Sequence, residues 1–467
     1  MTAIYASEER FWGADDSESI QNAVDYAEQT GFGQVIIPRI NERTGKPLWD
    51  LPRSVLLPSD MTIVLDNCHI RHADDTMDNL FRNKNMWTEL GGTIEGEQHD
   101  IHIIGRGNAW VDGGKHNGIH EQHLRDNPEK YKSMLYQTPI TFANVRRVEV
   151  RGIRFHETRY WALCFHCCSW GTVSDLHIEN SGLYENQDGV NLRIGCEFFT
   201  IQNITGWTGD DVVALTALPE GRSKPHIVKG KSIDIHDVTI RNIIASSHGC
   251  GLVRMLCENG AREYNITIDN VKDTTQSISG TTMLIGTTDS HFSDPPHTMT
   301  DFKNVVIRNI TTCSQRALSI AETCRDVLIE NVTTYGPNEV GIRFYNNFQC
   351  ENLTIRNVTL RSQKGSLDSA FWMDESPDPN RVLKNLRVED VTVACAPKYM
   401  FRGVEFPVTN LKYDYEPTEG WFTPKSTRLS RAYGRYHYMA YGKVIQERPW
   451  DNRYDGTLRT PQELAAE

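Results

Sequence analysis

A degenerate repeat constrains the fold of this chain more than any other sequence feature. Through most of the 467 residues, apolar and variable positions alternate and the unit ends in Asn or Asp followed by Val or Ile, as in VTIRNI (238–243) and ITIDNV (266–271). Alternating β-branched residues are typical of short strands with one buried face. The polar residue can adopt the left-handed backbone of a sharp turn. It recurs as Asn180, Asn203, Asn242, Asn270, Asn309, Asn331, Asn357 and Asp390.

The spacing of these positions indicates a solenoid. Neighbouring members lie between 22 residues (309 to 331) and 39 residues (203 to 242) apart, which fits one coil with or without an inserted loop. An α/β solenoid would need helical segments of about ten residues between the strands, and the pattern lacks them. We therefore predict an all-β fold, a right-handed parallel β-helix whose stacked coils align the Asn residues in a ladder.

The two ends of the chain depart from the repeat. DSES (16–19), followed by apolar positions at helical spacing, predicts a capping helix that closes the N-terminal end of the solenoid. We predict one catalytic β-helix domain over 1–400, with its cap over about 1–40. Residues 401–467 are predicted to form an irregular, aromatic-rich C-terminal tail that packs on the β-helix or at an oligomer contact.

Charge and composition exclude several classes of partner. The 61 acidic and 49 basic residues give a formal net charge of −12, and no Lys/Arg run indicates nucleic-acid binding. No apolar stretch suits a membrane and no secretory signal is visible, so we expect a cytoplasmic protein. Eleven scattered cysteines favour reduced thiols, and neither Cys nor His shows zinc-ligand spacing. We expect no cofactor and no metal, and homo-oligomerisation is left open.

Three aspartates lie on segments one coil apart. Asp188 belongs to NQDG (186–189), and Asp210 and Asp211 follow after 22 and 23 residues. Cleavage of a glycosidic bond needs one carboxyl that donates a proton and another that activates water. Mutual repulsion among clustered carboxylates raises at least one pKa, which supplies the acid. The same residues are compatible with plain turns or with a calcium site.

With these motifs in place, the sequence resembles glycoside hydrolase family 28, the polygalacturonase-like enzymes. The likeness runs in the family's order from about residue 10 to residue 260. It rests on FWGADDSESIQNAV (11–24), IIGRGNAWVDGG (103–114), RGIRFHETRYWALCFHCC (151–168), NQDGVNLRIG (186–195), TGDDVVALTA (208–217) and SSHGCGL (246–252).

The resemblance implies a role for each matching residue. Asp210 would be the general acid that protonates the leaving oxygen. Asp188 and Asp211 would hold and deprotonate the attacking water, giving inversion at the anomeric carbon. His248 would tune the acid or contact the sugar, and Asn186 would orient its neighbours or the substrate.

In one place the sequence departs from the family. Family members carry Arg-x-Lys on the coil after the His-Gly, whereas the corresponding segment SGTTMLIGTT (279–288) has no cation. Arg254, Arg193 and Arg343 are the remaining candidates to pair with a uronate carboxylate. A neutral or differently linked sugar is therefore a second interpretation.

Other side chains are expected to line the same cleft. Aromatic rings can stack on sugar faces, although core packing is their commoner role. Trp207, just before the aspartate pair, is the first candidate, followed by Trp161 and by His166 on the coil before Asp188. Weaker candidates are Tyr160, Tyr345, Phe371 and Trp372. The long gap between the aspartate pair and the His-Gly predicts an insertion around 219–231 that forms a wall of the cleft.

These observations predict an inverting glycoside hydrolase that cleaves pectin-related oligo- or polysaccharides, with exo action. Two other classes stay open. One is another β-helix carbohydrate enzyme, namely a lyase, an epimerase or a fructotransferase. The other is a non-catalytic carbohydrate-binding β-helix, which would bind sugar without turnover.

Overall fold

The computed structural model describes residues 3–115, 134–182, 186–274, 280–287, 298–336, 338–362, 366–414, 436–440 and 443–448. These residues wind into a parallel β-helix, which confirms the predicted fold. Each regular coil contributes strands to two long sheets, and equivalent strands of successive coils pair in parallel.

The larger sheet, here the first sheet, has 18 strands. They are Ile4–Tyr5, Gln34–Pro38, Trp49–Leu51, Met61–Asp66, His69–His72, Gln98–Arg106, Trp110–Asp112, Val145–Arg151, Arg154–His156, Thr172–Glu179, Glu197–Thr208, Ile235–Ser247, Glu263–Asp273, Phe302–Thr312, Cys324–Thr334, Cys350–Leu360, Leu383–Val393 and Val408–Tyr413.

The second sheet has 12 strands. They are Val55–Leu57, Phe81–Asn83, Ile140–Ala143, Leu163–His166, Val190–Leu192, Val213–Ala217, Gly251–Cys257, Thr281–Ile285, Arg316–Ile320, Val340–Phe344, Ser366–Met373 and Ala396–Gly403. Tyr436–Ala440 and Lys443–Arg448 form a separate antiparallel pair. Short 3-10 helices span Glu9–Phe11, Leu90–Gly92, Met134–Gln137 and Gly221–His226.

The core follows from the alternation in the repeat. Ile201, Ile240 and Ile268 pair in register on three successive coils, and all three are fully buried. Each coil places its β-branched residues on those of the next, so the interior is one continuous apolar column. Burial of these side chains contributes about 1.5–3 kcal/mol each to folding.

The repeated Asn or Asp forms the predicted ladder at a corner of the first sheet. Asn203, Asn242 and Asn270 have φ of 57°, 57° and 56°. The side-chain amide of Asn242 donates to Asn203 Oδ1 at 3.0 Å, and that of Asn270 donates to Asn242 Oδ1 at 2.8 Å. One predicted member was wrong, because Asp175 (φ 56°) and not Asn180 occupies this corner. Asn180 is buried, five residues further along the coil.

A second corner column, which the repeat pattern did not reveal, lies near the start of the first-sheet strands. Its members have φ between 53° and 60° and are side by side on successive coils. They are Asp60, Asp100, Arg147, Trp170, Phe198, Asp237, Asn265, Asn304, Asp326, Asn352 and Asn385. Asn or Asp fills every position except those of Arg147, Trp170 and Phe198.

The N-terminal cap is an α-helix, Asp16–Thr30, as predicted. Its N-cap residue Asp15 accepts a hydrogen bond from the backbone N–H of Glu18 at 2.9 Å, which satisfies one free donor of the first turn. At the other end, solenoid strands continue to Tyr413, beyond the predicted boundary at residue 400. Most of the predicted tail, 401–467, lies outside the described residues, and its role as a cap or oligomer contact stays a prediction.

None of the eleven cysteines forms a disulfide, and ten of them are buried. In the described part of the chain, no helix combines the length and apolar character needed to cross a bilayer.

Candidate active site

The three aspartates lie where two neighbouring coils enter the second sheet. Val190 pairs with Val213 in parallel register. Asp188 and Asp211 each precede their valine by two residues, so they occupy equivalent positions about 4.8 Å apart along the solenoid. Asp188, Asp210 and Asp211 are only 4%, 6% and 3% exposed. The fold therefore gathers the three carboxyl-bearing residues, as the sequence spacing predicted.

Backbone contacts set the close approach of these two coils. The N–H of Gly189 donates to Asp211 O at 2.9 Å, and a Cβ added at Gly189 would lie only 2.4 Å from Val212 O. Only glycine allows the coils to pack this closely. Asn186, with φ of 58°, turns the chain into this segment. NQDG (186–189) is thus both a turn and the carrier of an acid.

The contacts of Asp211 favour its ionised form. Its Oδ1 accepts a hydrogen bond from the N–H of Gly251 at 2.8 Å. Its Oδ2 lies 3.5 Å from Arg254 Nη1. Donors and positive charge beside a buried carboxyl favour the carboxylate. Asp211 is therefore suited to accept a proton.

Asp188 has the opposite environment. Its Oδ2 accepts one hydrogen bond, from Asn191 Nδ2 at 3.1 Å. Its Oδ1 is buried and has no hydrogen-bond partner among the described residues. Burial, and after it the negative charges of Asp210 and Asp211, raise the pKa of Asp188 well above its usual range. The surroundings of Asp188 therefore favour the retention of a proton within the cluster, which an acid catalyst requires.

Asp210 and Asp211 also approach the thiol of Cys250. One potential ligand atom from each of the three lies within 4.8 Å of the others. The carbonyl oxygen of Asp210 accepts hydrogen bonds from Thr208 Oγ1 at 2.6 Å and from Ser247 Oγ at 2.8 Å, which holds its backbone. Calcium prefers oxygen ligands, so a set that includes a thiol fits this ion poorly.

A buried carboxyl that sequence reasoning missed supports the turn of the first aspartate. Glu157 accepts hydrogen bonds from the N–H and Oγ of Ser181 at 2.6 and 2.9 Å and from Gln187 Nε2 at 3.3 Å. The carbonyl oxygen of Gln187 accepts from the N–H groups of Gly209 and Asp210 at 3.0 and 3.4 Å. Burial raises the pKa of Glu157 to about 7. No local motif marks Glu157, since its partners come from the next coil.

His248 stands on the third coil of the site. Its backbone N–H donates to Thr208 O at 3.0 Å. A Cβ added at Gly182 would lie 3.1 Å from Cβ and Cγ of His248 and 3.3 Å from Cα of Gly209, so these residues meet beside the aspartate pair. The residue is half-buried, and desolvation of the ring lowers the pKa of His248 to about 4. Its imidazole is therefore neutral at pH 7 and able to hydrogen-bond a sugar or an acid.

Arg254 belongs to an outward-facing row that runs along the second sheet. Asn191, Ala214, Arg254 and Leu284 align on successive coils. Leu284 lies on the coil where the family's Arg-x-Lys was expected and is absent. Within the described chain, Arg254 is therefore the cation of this row that lies nearest the aspartates. The row reaches Arg343 three coils beyond Arg254. The guanidinium carbon of Arg343 lies 4.0 Å from the ring centroid of Tyr345 and 3.8 Å from that of Trp372. Phe371 is part of the core.

Two of the expected sugar contacts are buried and already engaged with internal partners. Arg193 is 5% exposed, and it donates to Thr216 Oγ1 at 2.7 Å and to Ser223 Oγ at 3.1 Å. Trp161 lies under its guanidinium at 5.0 Å and is 2% exposed, in a cluster with Met134, Leu135, Tyr160 and Cys164. Their roles are internal packing and attachment of the covering segment.

His166 is fully buried, contrary to the expected position in the cleft. Its Nε2 lies 3.2 Å from Cys164 Sγ, and its ring centroid lies 4.5 Å from that of His226. Burial, with the charges of His226 and Arg193 after it, lowers the pKa of His166 well below its usual range. The cause is the inserted segment 219–231, which supplies His226 and covers this coil. The sequence revealed the insertion but not the residues beneath it.

Trp207 is half-buried on the outer face of the first sheet. Its ring packs edge-on against His177, with centroids 6.1 Å apart, and His177 Nε2 lies 2.8 Å from Glu179 Oε1. Trp207, which precedes Asp210 by three residues, thus belongs to a row of polar residues on the first sheet. Its contact with a sugar stays a prediction.

Comparison with solved structures places this architecture among known β-helices. An exopolygalacturonase from Thermotoga maritima matches over 88% of this chain and 92% of its own, with a TM-score of 0.53 and 13% identity. The chain has the fold of the polygalacturonases. The A-module of mannuronan C-5 epimerase AlgE6 from Azotobacter vinelandii matches over 89% and 100%, with a TM-score of 0.59 and 12% identity.

A third match is a bacteriophage tailspike protein. A tailspike protein of Escherichia coli bacteriophage HK620, solved in complex with a pentasaccharide, matches over 88% of this chain and 78% of its own, with a TM-score of 0.53 and 12% identity. No family model and no curated protein sequence matches the chain. At these identities the likeness establishes the fold alone, and function rests on the site.

Proposed function

We propose that this protein is a glycoside hydrolase that cleaves pectin-related saccharides with inversion. The observation that carries the proposal is the convergence of Asp188, Asp210 and Asp211 on adjoining coils, nearly buried and with opposed environments. Burial of three mutually repelling carboxyls lowers the stability of the fold. Such an arrangement is typical of active sites, where one carboxyl acts as the acid and another as the base. The polygalacturonase fold supports this interpretation by analogy.

Each aspartate has a role in the proposed reaction. Asp210 donates a proton to the leaving oxygen. Asp211, held by Gly251 and Arg254 in a form suited to accept a proton, deprotonates the attacking water, and Asp188 helps to hold that water in place. Because the carboxyls interact, the proton is shared within the cluster, and Asp210 carries it at the moment of cleavage. His248, neutral and adjacent, orients the acid or the sugar.

The shape of the site supports exo action. On the coil before Asp188, Trp161 and His166 are buried beneath 134–135 and 219–231. On the following coils the row from Arg254 to Arg343 stays on the outer face of the sheet. We infer that these covering segments block a saccharide on the side of the earlier coil, so that the end of a saccharide chain rather than its middle reaches the acids.

The substrate class rests on Arg254. A single guanidinium beside Asp211 can pair with one uronate carboxylate, although the two cations expected from the resemblance are replaced by an apolar coil around Leu284. We propose short pectin-derived oligosaccharides as substrates, taken from their ends. The cytoplasmic location expected from the sequence belongs to this proposal.

The direct test replaces the proposed acid. Asp210→Asn should lower hydrolysis of a pectic oligosaccharide panel by at least about 100-fold, the loss expected without general acid catalysis. Asp175→Asn is the matched control, because it makes the same chemical change at a corner where other coils already carry Asn. Proton NMR of the first product would report inversion, and chromatography would report chain-end products. Unchanged hydrolysis in Asp210→Asn, or random mid-chain cuts, would contradict the proposal.

The main rival is proton abstraction beside a uronate, as in a lyase or an epimerase. Arg254 favours it as much as it favours hydrolysis, since a cation near a carboxylate also stabilises the charge formed at the neighbouring carbon. A lyase leaves an unsaturated product that absorbs in the ultraviolet, and an epimerase exchanges solvent deuterium into the sugar without chain cleavage. Either result would replace the hydrolase proposal.

A further inference from the structure

Two exposed aromatic residues interrupt the second corner column. The column holds Asp or Asn on eight coils, yet Trp170 and Phe198 occupy it on two successive coils. Their rings stack on each other with centroids 4.5 Å apart and planes inclined by 13°. Trp170 is 58% exposed and Phe198 is 38% exposed. The most exposed aromatic stack in the described chain thus lies in a column where eight other coils carry Asn or Asp.

The backbone at these positions is unfavourable for aromatic residues. Trp170 has φ of 57° and Phe198 has φ of 56°. Asn and Asp tolerate this left-handed conformation, whereas bulky side chains rarely adopt it. Backbone strain of this kind is found preferentially at functional positions. The two rings are therefore held at the surface despite an unfavourable backbone conformation and an unfavourable exposure of apolar area.

One face of the stack is open to a ligand. Phe198 covers one face of the Trp170 indole, and an exposure of 58% requires that much of the other face contacts solvent. On the far side, Phe198 is backed by the His236 ring, which packs edge-on with centroids 5.9 Å apart. The stack is therefore supported at its C-terminal end and open at its N-terminal end.

The polar groups around the stack are those that recognise hydroxyl groups. His236 lies between Glu197 and Asp237, at 3.1 and 2.7 Å. On the open side, Arg147 pairs with Asp100 through two hydrogen bonds. The three acidic residues Glu197, Asp237 and Asp100 outnumber the two basic residues Arg147 and His236. This balance disfavours phosphate-rich or polyanionic ligands. Paired donors and acceptors beside an aromatic face suit the hydroxyl groups and C–H face of a neutral sugar.

The size of the patch also argues for a sugar. At roughly 150–250 Å² per aromatic side chain, the exposed parts of the two residues amount to less than about 250 Å². A stable protein interface buries about 800 Å² per partner. One or two sugar rings match the patch, and a protein partner or a second copy of the chain does not.

We propose that Trp170 and Phe198 form a second saccharide-binding site, for neutral sugar rings, across the second sheet from the aspartates. Phe198 follows Asp188 by ten residues on the same coil, so the two sites are at most about 35 Å apart. Binding at the second site does not depend on the aspartates, so it can be tested separately from the proposed hydrolysis.

The test uses the full chain carrying Asp210→Asn, so that no cleavage occurs. Affinity gel electrophoresis in soluble neutral galactan should retard this protein. The double variant Trp170→Asn/Phe198→Asn should lose at least ten-fold in affinity. The same variant should unfold at a higher denaturant concentration, because Asn suits the left-handed corner. Trp12→Asn, which removes another exposed tryptophan at 40% exposure, is the matched control and should bind normally.

Several outcomes would overturn the proposal. They are absence of retardation by neutral galactan and arabinan, equal retardation of the double variant, and retardation only by polygalacturonate. A dimer in gel filtration that the double variant converts to a monomer would assign the patch to self-association instead. Gain of denaturant resistance together with loss of binding supports the proposal. If the double variant fails to fold, Trp170→Asn and Phe198→Asn are measured singly, with the same outcomes.

Discussion

Replacement of the buried carboxyl Glu157 by its neutral isostere tests the electrostatics beneath the site. Glu157 accepts hydrogen bonds from Ser181 and Gln187 and supports the backbone of Asp210 through Gln187. Burial raises the pKa of Glu157 to about 7 from the usual 4.5. Glu157→Gln removes the titration while keeping the size of the side chain.

The magnitude follows from the two pKa values. Between pH 4.5 and 7 the folded protein holds a proton on Glu157 that the unfolded chain releases, so stability falls as pH rises through this window. The stabilisation is fully present below about pH 4.5. Because one pH unit corresponds to about 1.4 kcal/mol, the loss above pH 7 is roughly 3 kcal/mol. Glu157→Gln lacks this loss and should gain that amount relative to wild type across the window.

Urea unfolding at pH 4.5, 6, 7 and 8 measures the effect as a difference between the two proteins. Burial also raises the pKa values of Asp188 and Glu263. Both residues are present in the two proteins, so their contributions to the pH dependence of the unfolding free energy cancel in the difference. The exposed Glu89, changed to Gln, serves as the control for the same chemical change at the surface. If the difference between wild type and Glu157→Gln stays constant within about 0.5 kcal/mol across the range, the assigned titration is wrong.

Three further predictions follow from the site, the ladder and the thiols. Arg254→Met should lower kcat/KM about 10- to 100-fold more on uronate than on neutral substrates, the value of a charge-assisted hydrogen bond to the uronate, and Arg254→Lys by less. The lost contact to Asp211 affects every substrate alike, so equal losses on both kinds of substrate would remove Arg254 from uronate recognition. Asn331→Ala should cost about 1–3 kcal/mol in urea unfolding, since it breaks ladder bonds to Asn309 and Asn357 and strains a φ of 58°. Asn331→Gly should recover the backbone part, and equal costs would show that strain is negligible. In native protein only Cys250 should react quickly with a thiol reagent, because the other ten cysteines are buried, and all eleven should react after unfolding; more than one fast thiol would contradict the burial pattern.

The regular part of the fold could be predicted because its cause is local. Each strand carries its own alternation and its own turn residue, so VTIRNI and ITIDNV specify the same geometry independently. The misplaced ladder member shows the limit of this reasoning. DLHIENS offers both Asp175 and Asn180, and only pairing with Asn203 on the next coil selects Asp175.

The candidate site was predictable in part for a similar reason. Asp188 and Asp211 lie one coil apart along the chain, so spacing alone brings them together. The environment of Glu157 depends on residues 24 and 30 positions away, and the burial of His166 depends on an insertion 60 positions away. Such contacts have no periodic signature. The strained aromatic pair escaped notice because the second corner column is visible only from backbone angles.

The strand register has a consequence for how such a chain can change over time. The parallel register repeats from coil to coil, so duplication of a whole coil beyond Ile320 would lengthen the row toward Arg343 without moving the acids. Gain or loss of a single residue between Asn191 and Thr208 would instead shift Asp211 relative to Asp188 and invert the inward and outward faces of that coil. Evolution of this protein should therefore proceed in steps of complete coils and exposed insertions, while short length changes within the strands are eliminated.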